Sequence, residues 1–160
     1  MSTLRRRAEA APPAETSNEP ADVSPLSDRL GFWLRMAQQT AFESFHKAMA
    51  PLGLSPGRLG VLLLLEAAPD MRQTALGAAL RVKPPNLAVL LAAMEQDGLI
   101  RRVDDPQNRR VNLLRLTPAG RALLKRAKTQ EAQVEVELTQ GFTAEEREAL
   151  VAALRRIARA

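Results

Sequence analysis

The sequence predicts a mainly α-helical protein with one small β-hairpin, because two kinds of pattern alternate along it. In six stretches apolar residues recur at intervals of three and four, which places them on one face of a helix. Between the fourth and fifth stretches, two short β-branched or leucine-rich runs, 99–103 and 111–116, flank a turn-rich segment. With 160 residues, 46% of them hydrophobic, the chain can form one domain with its own core.

The first 24 residues differ from the rest of the chain. They are rich in Ala, Pro, Glu and Ser and almost lack large apolar residues, so burial cannot offset the entropy of ordering them. We therefore expect a disordered tail over 1–24 and a single domain over 25–160. The tail holds Arg5, Arg6 and Arg7, which could touch DNA as a basic arm or do nothing specific.

The boundaries of several predicted helices coincide with residues that favour helix ends. Serine and threonine accept hydrogen bonds from the first free backbone N–H groups, proline suits the first helical turn, and glycine favours the end. These residues are Gly53 after the first helix, Ser55 and Pro56 before the second, Thr117 and Pro118 before the fifth, and Thr143 with Glu146 before the sixth.

Two short helices in the middle of the chain are joined by a tight turn. The third helix is expected at about 72–80, and the fourth begins near Pro84 and Pro85, where the missing N–H groups cost nothing. A leucine and methionine stripe follows, and Gly98 ends it. Two short helices in this arrangement predict a helix-turn-helix.

Composition restricts the function. A formal net charge of +5 favours a polyanionic partner, and the absence of cysteine excludes disulfides, thiolate metal sites and thiol redox sensing. His46 is the only histidine, so we expect no metal and no cofactor. No motif places a nucleophile beside a base, so we do not expect an enzyme. No apolar run is long enough to span a bilayer, so we expect a cytoplasmic protein without a membrane partner.

Arginine is concentrated in the predicted hairpin. Arg109 and Arg110 lie at its tip beside Asn108, where a narrow loop could enter the minor groove of DNA and gain from its negative potential. A solvated basic loop explains the same composition equally well. Composition alone leaves both interpretations open.

Four stretches of the chain resemble one known family. They are Leu-Gly-Leu-Ser-Pro at 52–56, Glu-Gln-Asp-Gly-Leu-Ile-Arg-Arg at 95–102, Asp-Pro-Gln-Asn-Arg-Arg at 105–110, and Leu-Arg-Leu-Thr-Pro-Ala-Gly at 114–120. Together they are similar to the multiple antibiotic resistance regulator (MarR) family of bacterial winged-helix repressors. The third and fourth of these stretches lie in and after the hairpin and are the most specific.

The resemblance implies an architecture and a function. The helices in 25–52 and 118–160 would form a homodimer interface, and 53–117 would be a winged helix-turn-helix lobe. The fourth helix would enter the major groove of double-stranded DNA and the hairpin would be the wing. We therefore expect a transcription regulator, typically a repressor, that a small aromatic or amphipathic ligand releases from a pseudo-palindromic operator.

The resemblance also assigns residues to DNA binding. Arg110 matches the minor-groove arginine of the family, with Arg109 beside it, and Asn108 stands where an acidic residue usually orients that arginine. At the start of the fourth helix the expected base contacts come from Lys83, Asn86, Ala88 and Val89. Gln73 and Thr74, at the start of the third helix, suit phosphate contacts.

Two alternatives concern apolar surfaces. Trp33, Arg35, Phe42 and Phe45 on the first helix could line an effector pocket, for a small aromatic compound or its thioester, or the aromatic residues could simply be core. The outward face of the fourth helix is apolar, so it could instead pack on a protein. The chain would then be a winged-helix interaction module without specific DNA binding.

Overall fold

The computed structural model describes residues 22–106 and 108–158, with the backbone alone for 108–111. Most of the predicted tail therefore lies outside the described residues. The predicted class is confirmed: six α-helices account for most of the described chain, and the β-hairpin of a small sheet lies between the fourth and fifth. The helices are α1 (Leu30–Met49), α2 (Pro56–Ala67), α3 (Gln73–Leu80), α4 (Pro84–Gln96), α5 (Pro118–Leu138) and α6 (Ala144–Ala158).

The capping residues predicted from the sequence act as caps. The hydroxyl of Ser55 accepts a hydrogen bond from the backbone N–H of Arg58 at 3.3 Å, and Thr117 does the same for Gly120 at 3.0 Å. At the start of α6, Thr143 and Glu146 exchange two such bonds, of 2.8 and 3.2 Å, which is a complete capping box. These contacts fix where α2, α5 and α6 begin.

The sheet has three strands, one more than the predicted hairpin. Strands β2 (Ile100–Asp105) and β3 (Asn108–Leu116) pair antiparallel as predicted, with a register shift between Asp104 and Asp105. The added strand is β1 (Met71–Arg72), which pairs antiparallel with β3 and gives the order β1-β3-β2. A two-residue strand is too short to show an alternating pattern, so the sequence did not reveal it.

The core lies between α2, α4, the sheet and the first turns of α5. Its fully buried members include Leu62, Leu91 and Leu114 from three different elements. Gly120 lets α5 approach the strand, because a Cβ atom there would lie 2.1 Å from the carbonyl oxygen of Leu99. The start of α5 therefore packs directly against the backbone at the entry to the hairpin.

The terminal helices expose apolar side chains. In the isolated chain α6 buries no residue completely. Large hydrophobic residues at least 40% exposed on α1, α5, α6 and the α5–α6 loop are Leu30, Trp33, Phe42, Val136, Phe142, Leu150, Leu154 and Ile157. This surface is much more apolar than an isolated chain would be expected to expose.

No single helix of the described part is long and apolar enough to cross a membrane. The segments Leu30–Leu52 and Pro56–Ala67 reach the required length and composition only when joined across a 72° bend.

The turn between α3 and α4 has an unusual backbone. Arg81 has φ 52° and ψ 37°, in the left-handed region that glycine adopts without cost. Its side chain donates from Nη1 to the carbonyl oxygen of Ala158 at 2.7 Å, at the end of α6. The turn before α4 thus contacts the end of a terminal helix.

Candidate nucleic-acid interface

A concave surface of about 830 Å³ lies between α3, the α3–α4 turn, the start of α4 and the sheet. It brings together three of the residues predicted to bind DNA, namely Gln73, Thr74 and Lys83. We call this surface the basic cleft, because its lining holds four cationic side chains and no carboxylate. The cationic residues are Arg72, Arg81, Lys83 and Arg102.

Gln73 and Thr74 occupy the first turn of α3, where free backbone N–H groups and the helix dipole favour an anion. Arg102 of β2 donates to the Gln73 side-chain oxygen at 3.4 Å and to Glu95 of α4 at 3.1 Å. Arg102 therefore ties the sheet to both helices of the helix-turn-helix. The Gln73 amide nitrogen keeps its two donors for another partner.

Lys83 is the N-cap residue of α4 and is exposed. Among residues 22–106 and 108–158, no ion-pair partner approaches it. Its full charge is therefore available to an external anion such as a phosphate. The base contact expected of Lys83 from the sequence stays a prediction.

Four polar residues that line the basic cleft were not predicted from the sequence. Arg72, Arg81, Arg102 and Asn112 come from β1, the α3–α4 turn, β2 and β3. The signal for Arg102 was present, since it belongs to the arginine-rich hairpin. Nothing in the local sequence indicates that Arg72 and Arg81 lie near Arg102, because only the tertiary fold brings β1, the α3–α4 turn and β2 together.

Arg72 connects the cleft to the wing. It donates from Nη2 to Asp105 Oδ2 at 3.0 Å, and Asp105 is only 6% exposed. Asp105 lies at the end of β2, directly before the turn into β3. A buried carboxylate is costly unless it is paired, so this contact favours one position of the wing relative to α3.

A second ion pair joins β3 to the residue that directly precedes β1. Arg115 of β3 donates from Nε and Nη2 to the two carboxylate oxygens of Asp70, both at 2.6 Å. This hydrogen bonding lowers the pKa of Asp70 from its ordinary value of 3.8, and the nearby Arg115 and Arg101 charges act in the same direction. The pKa of Arg115 is raised by the same contact.

The remaining predicted base-contacting residues lie on the exposed side of α4. Asn86, Ala88 and Val89 are all exposed, and Val89 is 72% exposed. The buried side of the same helix consists of Leu87, Leu91 and Met94. The face predicted to enter the major groove is therefore free in the isolated chain.

The wing tip is described only as backbone. Asn108, Arg109 and Arg110 belong to β3, and Asn108 pairs with Asp105 across the turn. Their side chains lie outside the described residues, so their predicted contacts with DNA remain predictions.

None of the four predicted effector residues lines the basic cleft or the cavity between α1, α5 and α6, so their role stays a prediction. Trp33 donates from Nε1 to the carbonyl of Ser27 at 2.7 Å, Arg35 is exposed, and Phe42 stacks at a tilt on His46, with ring centroids 6.1 Å apart. Phe45 packs against the edge of the core.

A second cavity, of about 540 Å³, lies instead between α1, α5 and α6. We call it the helical cavity. Its wall is mostly apolar, and the ion pair between Arg147 and Glu135 (Nε to Oε1, 3.1 Å) lies at its edge. The α1 residues that line it are Leu34, Ala37, Gln38 and Ala41.

No group of three or more His, Asp or Glu residues in the described chain could hold a metal ion.

A helix-turn-helix, a paired wing and a basic cleft between them define a winged-helix DNA-binding regulator of transcription. Comparison with known proteins supports this class. A sequence model of the MarR family matches residues 54–111. A transcriptional regulatory protein for the hcr operon of Thauera aromatica is 30% identical over 135 residues, which cover 84% of this chain and 81% of that protein.

Solved structures of similar proteins support the same class. The transcriptional repressor CouR bound to a 23-mer DNA duplex is 39% identical with a TM-score of 0.82, covering 88% of this chain and 99% of that one. CouR bound to p-coumaroyl-CoA is 38% identical with a TM-score of 0.78 and the same coverage. The chain belongs to the MarR family. The expectation of a DNA-binding transcription regulator is thereby confirmed over that of an interaction module.

Proposed function

We propose that this protein is a homodimeric repressor that binds a pseudo-palindromic operator through α4, the basic cleft and the wing. Gln73, Thr74 and Lys83 would contact phosphates or base edges at the cleft, and Arg110 would enter the minor groove. The observation that supports this best is the basic cleft itself, where cations from four elements meet on one concave surface. Such a surface matches the charge of a DNA backbone.

The exposed apolar residues of the terminal helices support the homodimer. Leu150, Leu154 and Ile157 follow one another along α6 and are 44, 40 and 49% exposed. Leu30 of α1 is 63% exposed. A second copy of the chain would bury these side chains in a symmetric interface. Two lobes held this way would reach two half-sites about one helical turn apart.

We also propose that a small aromatic compound or its thioester releases the protein from DNA. One relative of known structure is bound to p-coumaroyl-CoA. The helical cavity has a volume typical of small-molecule sites and a mostly apolar wall, which suits an aromatic acyl group. The first-helix residues Trp33, Arg35, Phe42 and Phe45 remain the alternative lining predicted from the sequence.

DNA binding is tested by fluorescence anisotropy with the duplex upstream of the protein's own gene, titrated at several salt concentrations. We expect affinity to fall steeply with salt, because each neutralised phosphate releases counterions. Binding that is weak and independent of salt would contradict a DNA-binding role.

Analytical ultracentrifugation of the same sample tests the dimer. A monomer at micromolar concentration would contradict the proposed homodimer.

The ligand is tested by thermal shift with p-coumaric acid and with p-coumaroyl-CoA. A ligand that binds only the folded state stabilises it by an amount that grows with the ratio of ligand concentration to Kd, and this raises the melting temperature. We expect at least one of the two compounds to raise it and to release bound DNA in the anisotropy assay. A melting temperature unchanged by both would contradict this part of the proposal.

A further inference from the structure

Val89 stands apart from the other exposed apolar side chains. Every other large hydrophobic residue with high exposure in the described chain lies outside the lobe formed by 53–117. Val89 is 72% exposed and lies on the outward side of α4. A partner copy that covers the terminal helices would leave it uncovered, so the dimer does not explain it.

The central line of this outward side has almost no hydrogen-bonding groups. Pro85, Val89 and Ala92 follow one another at helical spacings of four and three, and Gln96 continues the line only at the last residue of the helix. Glu95, beside that line, is already held by Arg102 at 3.1 Å. Ala88 and Ala93 flank it and are exposed.

The backbone at the start of α4 is equally short of donors. Pro84 and Pro85 occupy the first helical turn, so two of the N–H groups that a helix N-terminus usually offers are missing. Asn86 is the first residue of α4 with both a backbone N–H and a polar side chain, and it is exposed. Within α4 it is the one hydrogen-bonding side chain in the first half of the helix.

We propose that α4 recognises the operator chiefly by apolar contact with thymine methyl groups, made by Val89 with Ala88 and Ala92, while Asn86 supplies the hydrogen bonds. This inference rests on the proposed DNA-binding function. In the major groove thymine alone among the four bases presents a methyl group, so an apolar surface can distinguish it. We call the surface formed by Ala88, Val89 and Ala92 the apolar ridge. The recognition helix of this lobe therefore reads thymine by shape and desolvation.

The chemistry favours DNA over a protein partner for this ridge. Lys83 precedes α4 without an ion-pair partner in the described chain, and the basic cleft adjoins the same helix end. An apolar ridge bordered by cations suits a groove with methyl groups on its floor and phosphates on its walls. A protein partner would need an acidic surface to meet the same border.

The experiment removes the methyl groups without altering any hydrogen-bonding group. An operator is first selected by the purified protein from a random duplex library, and each thymine is then replaced in turn by deoxyuridine. Burial of one methyl group changes affinity about fourfold, since it contributes about 0.8 kcal/mol. We expect one or two positions in each half-site to lose about fourfold affinity, and the other positions to change little.

Val89→Ala assigns the contact to this side chain. The variant should bind the thymine operator more weakly and should no longer distinguish thymine from deoxyuridine at one of the sensitive positions. Val23→Ala, which shortens an exposed valine before α1, outside both the lobe and the helices proposed to dimerise, is the control and should keep the full discrimination. Asn86→Ala should weaken binding but also keep the thymine preference.

The outcomes separate this inference from the function on which it rests. If no duplex is bound with salt-dependent affinity, the proposed DNA-binding function is wrong. If the selected operator is bound but deoxyuridine has no effect at any position, the function stands and methyl recognition is wrong. If Val89→Ala changes neither DNA affinity nor the discrimination between thymine and deoxyuridine, the inference is also wrong. The apolar ridge would then be a candidate surface for binding a protein.

Discussion

Arg72 and Asp105 join the helix-turn-helix to the base of the wing. Arg72 Nη2 donates to Asp105 Oδ2 at 3.0 Å, and the carboxylate belongs to a residue that is only 6% exposed. Arg72 directly precedes α3, and Asp105 directly precedes the wing turn, where the strand pairing shifts register. The wing is thus connected to α3 by a charged contact that solvent barely reaches on one side.

We expect Arg72→Met to lower the free energy of unfolding by about 1–2 kcal/mol, because it removes a donor from a buried carboxylate. The exposed side chain of Arg72 keeps the effect below that of a fully buried pair. Urea denaturation measures the change. The double variant Arg72→Met/Asp105→Asn should lose less free energy of unfolding than the two single variants together, because an uncharged asparagine at position 105 no longer needs a cationic partner. Losses that add strictly would show that the pair is not coupled.

The Asp70–Arg115 pair predicts that the stability of the fold depends on pH. Hydrogen bonding from Arg115 lowers the folded-state pKa of Asp70 below 3.8, its ordinary value, which the unfolded chain retains. The pair therefore stabilises the fold above about pH 4, and this stabilisation is lost as the pH falls through the lowered pKa. Asp70→Asn should be less stable than the parent at neutral pH, and the two should converge in acid.

Thermal unfolding of both proteins at neutral pH and near pH 3 measures this convergence. Asparagine tolerates the left-handed backbone of Asp70, at φ 63°, so the substitution changes the charge without straining the turn. A stability difference that is the same at both pH values would contradict the assignment.

The left-handed backbone of Arg81 predicts that two substitutions at this position differ in stability. Both Arg81→Gly and Arg81→Ala lose the contact with the Ala158 carbonyl, but only alanine must adopt a left-handed backbone at a steric cost. The glycine variant should be more stable than the alanine variant by about 1 kcal/mol. Urea denaturation compares the two directly, and equal stabilities would mean that the turn relaxes away from φ 52°.

Much of the fold could be predicted because it depends on local chemistry. Ser55 and Thr117 act as helix caps at the expected positions, and Gly53 and Gly98 have positive φ at 64° and 69° where helices were expected to end. Apolar spacing located the six helices for the same reason. A third strand escaped prediction, because β1 forms through its pairing with β3 and not through a pattern of its own.

The candidate site could be predicted only in part. Gln73, Thr74 and Lys83 follow from helix ends and are found together in the basic cleft. The arginines that complete the cleft are contributed by elements distant in sequence, so only tertiary structure reveals that Arg72 and Arg102 share one surface. The helical cavity combines three helices, and the first-helix aromatic residues did not indicate its position.

The central claim, that this lobe binds DNA through its wing and basic cleft, is tested most directly by the salt dependence of operator affinity for the parent and for Arg110→Ala. We expect the variant to bind more weakly, and the slope of log affinity against log salt to fall by about one. Arg126→Ala, on exposed α5 surface outside the lobe, is the control and should change neither value. Unchanged affinity and slope in Arg110→Ala would contradict the account.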